Sequence, residues 1–299
     1  MRYIDFRGEI ISKLSLGTVQ FGLDYGIANI EGKLNQDEVN EIIKFVLDND
    51  INCFDTAKTY GDSEKVLGNS FKLLKANPYI VSKLKSDVFN KFLEDSIKDS
   101  LRNLQTKSLW GLLLHDGELL DSWNNSFSRR INSLKDEKKI KYFGVSIYTT
   151  QEFNLAVENS DIDIIQIPFN IFDQRAIIEN WFTKAKEKDK LLFIRSVYLQ
   201  GLLLMDIDKV PYILEEAKPY LYKAEQLAKE FNIEKNEFML SFVNSLAKDS
   251  IVLFGCDNIN QAKENIEIFN NLKSIETKTV IDAFKDIDER IYNPVKWGK

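Results

Sequence analysis

The chain has 299 residues, of which 44% are hydrophobic and 29% charged, a composition typical of a globular protein with a large core. Its formal net charge of -6 argues against nucleic acid as a partner, since phosphate binding needs a basic face, and its single histidine excludes most zinc sites. The two cysteines, Cys53 and Cys256, lie in apolar stretches and predict buried free thiols rather than a disulfide framework.

The N-terminal segment MRYIDFRGEI is charged and short of apolar residues, so it is not predicted to be a signal peptide. No apolar run approaches the roughly 18 residues that a membrane span requires. We therefore expect a cytoplasmic protein with neither nucleic acid nor membrane as a partner and with no metal site. The sequence leaves the oligomeric state open.

In chain order, the segment RYIDFRGEIISKLSLG comes first and predicts a small hairpin that turns at Arg7 and Gly8 and closes the bottom of the fold. Short β-type runs then alternate with helical patterns. The predicted strands are residues 13–19, 52–56, 79–83, 109–115, 141–146, 163–168, 191–197 and 250–255. The clearest helical patterns are residues 36–49, 62–74 and 92–105.

Eight strands, each followed by a helix, predict parallel pairing in a (β/α)8 TIM barrel, an α/β fold formed by one domain over residues 1–299. The alternative is a doubly wound open sheet, which a GxGxxG turn after the first strand would favour. Gly17, Gly22 and Gly26 do not have that spacing, so the barrel is preferred. The C-terminal tail, 284–299, carries Trp297 near its end, and we expect it to pack back on the barrel.

Polar side chains end three consecutive predicted strands. Asp55 ends the second strand with Tyr60 in the following loop, Lys83 ends the third, and His115 ends the fourth. Because active sites of barrels lie at the carboxyl ends of the strands, these four are candidate catalytic residues. Taken one by one they also have structural interpretations: a helix N-cap, a packed tyrosine, a solvated lysine and a core histidine.

Together these residue types suit the protonation of a developing alkoxide. A phenol has an unperturbed pKa of about 10, a neighbouring ammonium favours its ionised form, and a carboxylate keeps that ammonium charged and in place. The hypothesis assigns Tyr60 as general acid, Lys83 as its neighbour, Asp55 as the partner of Lys83, and His115 as a hydrogen-bond donor to a carbonyl oxygen. Protonation of the oxygen is one of the two steps of a carbonyl reduction. The other step is hydride transfer to the carbonyl carbon, and the hydride must come from a cofactor.

The chain resembles the aldo-keto reductase superfamily nearly from end to end. The motifs that carry the resemblance are LSLGTVQFG (14–22), FDTAKTYG (54–61), VSK, LLLH, GVSIY (144–148), QIPFN (166–170), RSVYLQGLL (195–203) and FGCDNINQAKENI (254–266). In order and register, the family's catalytic tetrad falls on Asp55, Tyr60, Lys83 and His115. The resemblance implies a barrel that binds NADPH or NADH across its mouth and reduces a small carbonyl substrate.

The resemblance also implies binding residues for the cofactor and the substrate. Those for the cofactor are Gly17, Thr18, Asp55, Ser146, Gln166, Arg195, Ser196, Leu199, Gly201, Gly255, Asp257, Gln261, Glu264 and Asn265. Ser146 and Gln166 would hold the nicotinamide carboxamide. Tyr25, His115 and Tyr148 would line the substrate pocket.

Several positions depart from the family's pattern. Ile147 replaces an Asn that contacts the carboxamide, and Arg195 stands where many members stack a Tyr or Trp on the nicotinamide. The planar guanidinium can stack too, but it adds positive charge. In the adenosine loop, Asp257 and Gln261 stand where NADPH-specific members clamp the 2′-phosphate with cations. This predicts a weaker NADPH preference than the family norm, with NADH favoured unless Lys263 compensates.

The main hypothesis is an NAD(P)H-dependent reductase of an aldehyde or ketone, with a keto-sugar or small aldehyde as substrate. The alternative is a nicotinamide-sensing regulatory protein on the same fold with little or no turnover, against which the intact tetrad argues. A third reading, a carbohydrate-binding barrel without a cofactor, would leave the register of Asp55, Tyr60, Lys83 and His115 unexplained.

Overall fold

The computed structural model describes residues 1–298, which begin with a two-stranded antiparallel hairpin. Its strands are β1 (Tyr3–Phe6) and β2 (Glu9–Ser12). Arg7 and Gly8 between them have φ angles of 53° and 84°, the left-handed values that a two-residue hairpin turn requires. The predicted hairpin and its turn are confirmed.

The next eight strands form a closed parallel barrel. They are β3 (Leu14–Gly17), β4 (Cys53–Asp55), β5 (Tyr79–Leu84), β6 (Leu109–Leu114), β7 (Ile140–Ser146), β8 (Ile164–Pro168), β9 (Leu191–Arg195) and β10 (Ser250–Phe254). Each strand pairs with the next along the chain, and β10 closes the ring by pairing with β3. The predicted (β/α)8 barrel is confirmed, and each predicted strand overlaps an observed one.

Helices surround this barrel. They are α1 (Gln36–Asp48), α2 (Ser63–Leu74), α3 (Ser86–Asn103), α4 (Asn125–Asp136), α5 (Thr150–Glu158), α6 (Arg175–Ile178), α7 (Trp181–Glu187), α8 (Lys218–Glu230), α9 (Lys235–Leu246), α10 (Ile259–Asn270), α11 (Thr277–Phe284) and α12 (Glu289–Tyr292). Among residues 1–298, no helix has both the length and the apolar composition that crossing a bilayer demands.

The first helix shows how local sequence sets its bounds. Asn35 caps α1 through a capping box, in which its side chain accepts from the Glu38 amide and the Glu38 carboxylate accepts from the Asn35 amide. The helix then buries the apolar stripe that its spacing predicts, including Val39 and Ile43.

Helix α3 differs from its prediction, which placed the start at residue 92. The helix begins at Ser86, and Phe92 inside it has non-helical angles of φ −135° and ψ 26°. The first segment, SDVFNK, is rich in weak helix formers, so propensity alone does not indicate a helix there. Tertiary contacts stabilise it instead, since Phe89 is fully buried and its ring centroid lies 5.7 Å from that of Phe143 in β7.

Both faces of the barrel strands are buried, which explains their continuous apolar runs. One apolar cluster fills the space between barrel and helices, and a second fills the lower interior of the barrel. Cys256 belongs to the first cluster and Cys53 to the second, and both are free thiols as predicted.

The hairpin closes the amino-terminal end of the barrel. Phe6 and Ile11 are buried in the interior cluster with Trp110 and Tyr142 from the barrel strands. The Trp110 indole donates to the Glu9 carboxylate at 2.9 Å, so the one polar atom of that ring is satisfied. This end is filled by side chains, which leaves the opposite end of the barrel for a site.

The C-terminal tail packs on the barrel, as predicted. Trp297 is buried, and its indole donates to the carbonyl oxygen of Ile291 at 3.1 Å. The Tyr292 ring lies 5.1 Å from the Arg175 guanidinium. The tail thereby brings Val295 to the mouth of the barrel.

Candidate active site

The carboxyl ends of the barrel strands surround a cavity of about 580 Å³. Every residue predicted to bind cofactor or substrate lines it, together with three of the four predicted catalytic residues. Those residues are Gly17, Thr18, Tyr25, Asp55, Tyr60, His115, Ser146, Tyr148, Gln166, Arg195, Ser196, Leu199, Gly201, Gly255, Asp257, Gln261, Glu264 and Asn265. The fourth catalytic candidate, Lys83, is fully buried behind Asp55.

Asp55 and Lys83 form a buried ion pair across strands β4 and β5. The Lys83 ammonium donates to Asp55 Oδ2 at 2.6 Å and to the carbonyl oxygen of Thr56 at 2.9 Å. The two side chains are 5% and 0% exposed. Burial lowers the pKa of Lys83, and the Asp55 carboxylate opposes that change by favouring the charged ammonium.

Tyr60 lies in a turn that fits closely against the loop after β3. The Tyr60 amide donates to the carbonyl oxygen of Ala57 at 3.0 Å. A Cβ atom on Gly22 would lie 1.8 Å from the Tyr60 carbonyl oxygen, and one on Gly61 would lie 2.2 Å from the Gly22 carbonyl oxygen. Only glycines allow the two loops to approach this closely, so they fix the position of the Tyr60 backbone.

The Tyr60 ring lies next to both Lys83 and His115. The Lys83 ammonium is 5.0 Å from the centroid of the ring, and the His115 ring meets it edge-on at 5.5 Å. Burial raises the pKa of Tyr60 above its ordinary value, Asp55 adds to the rise, and Arg195 opposes it. The sequence predicted that lysine would favour the phenolate, but Asp55 neutralises Lys83 and burial dominates. The phenol is therefore protonated at neutral pH.

His115 is neutral in this site. Burial lowers its pKa to about 3, with the charges of Lys83 and Arg195 adding to the effect. Its Nδ1 lies 2.9 Å from the Thr59 hydroxyl. When Thr59 donates to Nδ1, the imidazole carries its proton on Nε2, the nitrogen left to donate to a ligand.

Asp55 also orients an amide in the cavity. The Gln166 side-chain nitrogen donates to Asp55 Oδ1 at 2.8 Å, while Oδ2 accepts from Lys83. The Gln166 oxygen accepts no hydrogen bond from residues 1–298, nor does the hydroxyl of Ser146 make one there. Both residues line the cavity and are paired on neighbouring strands, so they can bind a carboxamide.

Acidic and amide side chains occupy the part of the cavity lined by α10 and the loop before it. The Asp257 amide donates to Gln261 Oε1 at 2.8 Å, and burial raises the pKa of the Asp257 carboxyl. Glu264 pairs with the amide of Asn236. Lys263 does not line the cavity and instead has its ammonium 5.9 Å from the centroid of the Phe45 ring.

Some cavity residues were not predicted. The Tyr198 hydroxyl donates to Asn265 Oδ1 at 2.5 Å and ties the loop after β9 to α10. Gln20 lines the cavity, and its buried Oε1 has no partner among residues 1–298. Pro294 and Val295 come from the tail. Tyr198 and Gln20 lie inside motifs that sequence analysis had identified, so a search of those motifs for polar side chains would have found them.

Comparison with known families agrees with this geometry. The family model described as the aldo/keto reductase family matches residues 13–286. The chain therefore belongs to the aldo/keto reductase family and is an oxidoreductase.

Individual relatives match over most of their length. YqkF of Bacillus subtilis, described as an uncharacterized oxidoreductase, is 22% identical over 304 residues, covering 92% of this chain and 95% of that protein. Glycerol dehydrogenase AKR11B4 from Gluconobacter oxydans superposes with a TM-score of 0.75 at 21% identity, covering 98% and 96% of the two chains. An aldo-keto reductase from Klebsiella pneumoniae in complex with NADPH superposes with a TM-score of 0.69 at 18% identity, covering 98% of this chain and 96% of that one. These structural likenesses show the shared fold.

Proposed function

We propose that this protein is an NAD(P)H-dependent reductase that converts an aldehyde or ketone, sugar-derived carbonyls included, to an alcohol. The observation that carries the proposal is the protonated phenol of Tyr60, next to both Lys83 and the neutral imidazole of His115 at a cavity. A buried acid beside a hydrogen-bond donor suits protonation of a carbonyl oxygen.

Several residues that line the cavity are suited to binding a nicotinamide dinucleotide. Ser146 and Gln166 offer a hydroxyl and an amide oxygen for a carboxamide, and the buried Gln20 Oε1 lacks a donor among residues 1–298. Gly201 lines the cavity with φ +90°, and a Cβ there would lie 2.5 Å from the Ala28 Cβ, so glycine lets the loop after β9 pack against Ala28. Ser196 and Leu199 would lie along the diphosphate with Gly201, and Glu264 and Asn265 near the adenine. The bound cofactor supplies the hydride.

The chain's own residues would handle the proton. His115 Nε2 donates to the carbonyl oxygen and orients it, and Tyr60 transfers its hydroxyl proton to that oxygen as negative charge develops. The ammonium of Lys83, 5.0 Å from the ring centroid, stabilises the phenolate that remains. Asp55, which itself lines the cavity, accepts from that ammonium and holds it in place.

A preference for NADH over NADPH is part of the proposal. Among residues 1–298, Arg195 is the one lysine or arginine that lines the cavity, whereas Asp257 and Glu264 line the part where we expect the adenosine to bind. A 2′-phosphate there would meet carboxylates without a cation to pair with. Lys263 lies against Phe45, so it does not supply the missing clamp.

The reductase is tested by assaying cofactor oxidation with a panel of aldehydes and keto-sugars in wild type and Tyr60→Phe. We expect kcat/KM to fall by about 10²–10⁴ in the variant, with the Kd for NADH unchanged. Cofactor binding without turnover of any panel member would favour a nicotinamide-sensing protein. Failure to bind either cofactor would favour a barrel with no nicotinamide cofactor.

Cofactor preference is tested by fluorescence titration of wild type and Asp257→Ser with both dinucleotides. We expect NADH to bind more tightly in wild type, and the serine variant to gain affinity for NADPH because a repulsive carboxylate is removed. NADPH binding about tenfold tighter than NADH in wild type would contradict the assignment.

A further inference from the structure

Arg195, at the end of β9, has no carboxylate partner among residues 1–298, although it lines the cavity. Arg175 offers a contrast, since it is less than one-fifth exposed and bonds Asp173 through both Nε and Nη2, at 2.8 Å and 2.6 Å. Removing a guanidinium from water without an anion is unfavourable. An unpaired arginine in a cavity is therefore a candidate binding group for an anionic ligand.

The fold holds this guanidinium in a fixed orientation. One face lies over the Tyr148 ring, 4.0 Å from its centroid. Nη2 donates to the carbonyl oxygen of Ile147 at 2.9 Å, and Nη1 donates to the Ser196 hydroxyl at 3.2 Å. Two of the five N–H groups of an arginine are thus used, and the others remain for a ligand.

The positive charge of Arg195 influences the pKa of residues at the proposed proton-transfer end of the cavity. Burial is the largest influence on the pKa of Tyr25, Tyr60 and His115, and Arg195 acts on all three as well. The Asp55 carboxylate is already shared between Lys83 and Gln166, so it is not available to pair with the guanidinium.

We infer that Arg195 recognises a carboxylate on the carbonyl substrate, so that this reductase, if the proposed function holds, acts on carboxylate-bearing aldehydes or ketones. The carboxylate would accept from the free in-plane N–H groups of Arg195, while the reacting carbonyl lies at Tyr60 and His115. Tyr25 and Tyr148 line the same cavity.

The cofactor diphosphate is a second anion that Arg195 could bind. The position of Arg195 favours the substrate, because its guanidinium lies 4.0 Å from the ring centroid of Tyr148, a residue predicted to line the substrate pocket, and one of its N–H groups is committed to Ile147. Stacking on a nicotinamide remains compatible, since a guanidinium bonds in its plane and stacks through its faces, only one of which covers Tyr148.

The test compares 4-carboxybenzaldehyde with its neutral analogue 4-formylbenzamide in wild type, Arg195→Gln and Arg195→Lys. We expect wild type to favour the acid by at least about tenfold in kcat/KM, Arg195→Gln to lose that preference, and Arg195→Lys to keep part of it. Lys85→Gln is the matched control. Lys85 is an exposed cation whose charge also reaches His115 without lining the cavity, so its loss should leave the preference intact.

The Kd for NADH in each variant separates the two sources of the anion. A preference for the acid that survives Arg195→Gln, or equal use of both aldehydes by wild type, would overturn the inference while leaving the reductase in place. Weaker NADH binding in Arg195→Gln with an unchanged substrate ratio would assign Arg195 to the diphosphate. If wild type reduces neither aldehyde, calorimetric titration measures the Kd of 4-(hydroxymethyl)benzoate and of its amide. Equal Kd values for the two would refute the inference.

Discussion

Tyr60 and His115 have pKa shifts of opposite sign that share one cause. Burial raises the pKa of the Tyr60 phenol and lowers that of the His115 imidazole to about 3. In each case the uncharged form is favoured, because a low-dielectric site disfavours charge. The same desolvation therefore provides a protonated acid and a neutral hydrogen-bond donor side by side.

These shifts predict the pH dependence of reduction. In the proposed reaction Tyr60 acts when protonated, and a raised pKa keeps it protonated to higher pH, while His115 stays neutral far above its pKa of about 3. We expect kcat/KM to be constant from about pH 6 to about pH 10, the ordinary pKa of a tyrosine. The profile is measured with His115→Gln alongside. A loss of rate centred near pH 6.5 in wild type, absent from the variant, would show that His115 titrates there.

The buried ion pair predicts strong coupling between its two residues. Lys83→Met leaves the Asp55 carboxylate buried without its cation, and Asp55→Asn leaves the Lys83 ammonium without its anion. Each single change should lower the free energy of unfolding by about 3–5 kcal/mol, and the double variant should cost less than the sum. Urea denaturation of all four proteins measures this cycle, and additive losses would mean that the two side chains do not interact.

At the scale of elements, the close approach of two loops sets the position of the turn that carries Tyr60. A Cβ on Gly22 would collide with the Tyr60 carbonyl oxygen at 1.8 Å. We expect Gly22→Ala to displace Tyr60 and to lower kcat/KM by about 10², with a much smaller effect on the Kd for NADH.

Gly8→Ala is the control for this change. Gly8 also has a positive φ, of 84°, but its hypothetical Cβ has open space and lies in the hairpin at the other end of the barrel. The Gly8→Ala variant should have a somewhat lower free energy of unfolding and an unchanged kcat/KM. Equal losses of activity in the two variants would indicate that stability, and not the position of Tyr60, limits the rate.

The strands were predictable because the physical signal for each is local. A run such as LWGLLL is apolar on both faces, and β6 at Leu109–Leu114 is buried at every position. The start of α3 was not predictable, since Ser86 and Phe89 are held by contacts with distant residues rather than by helix propensity. Local pattern therefore specifies the barrel, whereas helix bounds also depend on tertiary packing.

The site divides in the same way. That Asp55, Tyr60, Lys83 and His115 lie close together was predictable, because strand ends of a parallel barrel share one rim. The position of Arg195 in the sequence does not show that it lies on Tyr148 and lacks a carboxylate, because both depend on residues far away in the chain.

For the whole molecule, the structure predicts one cooperative unit. The four tryptophans report on different regions: Trp110 on the lower barrel, Trp123 and Trp181 on the helical layer, and Trp297 on the tail. We expect tryptophan fluorescence and far-UV circular dichroism to give coincident unfolding transitions, in wild type and in Trp297→Phe. An earlier fluorescence transition that disappears in Trp297→Phe would show that the tail unfolds separately, against a single domain.

The ring of strands is closed by β10 against β3, where Val252 pairs with Leu14 near the opposite end of the chain. Of the eight barrel strands, β3 is synthesised first and β10 last, so closure waits until Phe254 has left the ribosome. Such distant pairing is slow. Until it occurs, β3 and β9 each present an unpaired edge that can join another nascent chain, and any product truncated before residue 250 keeps both edges open.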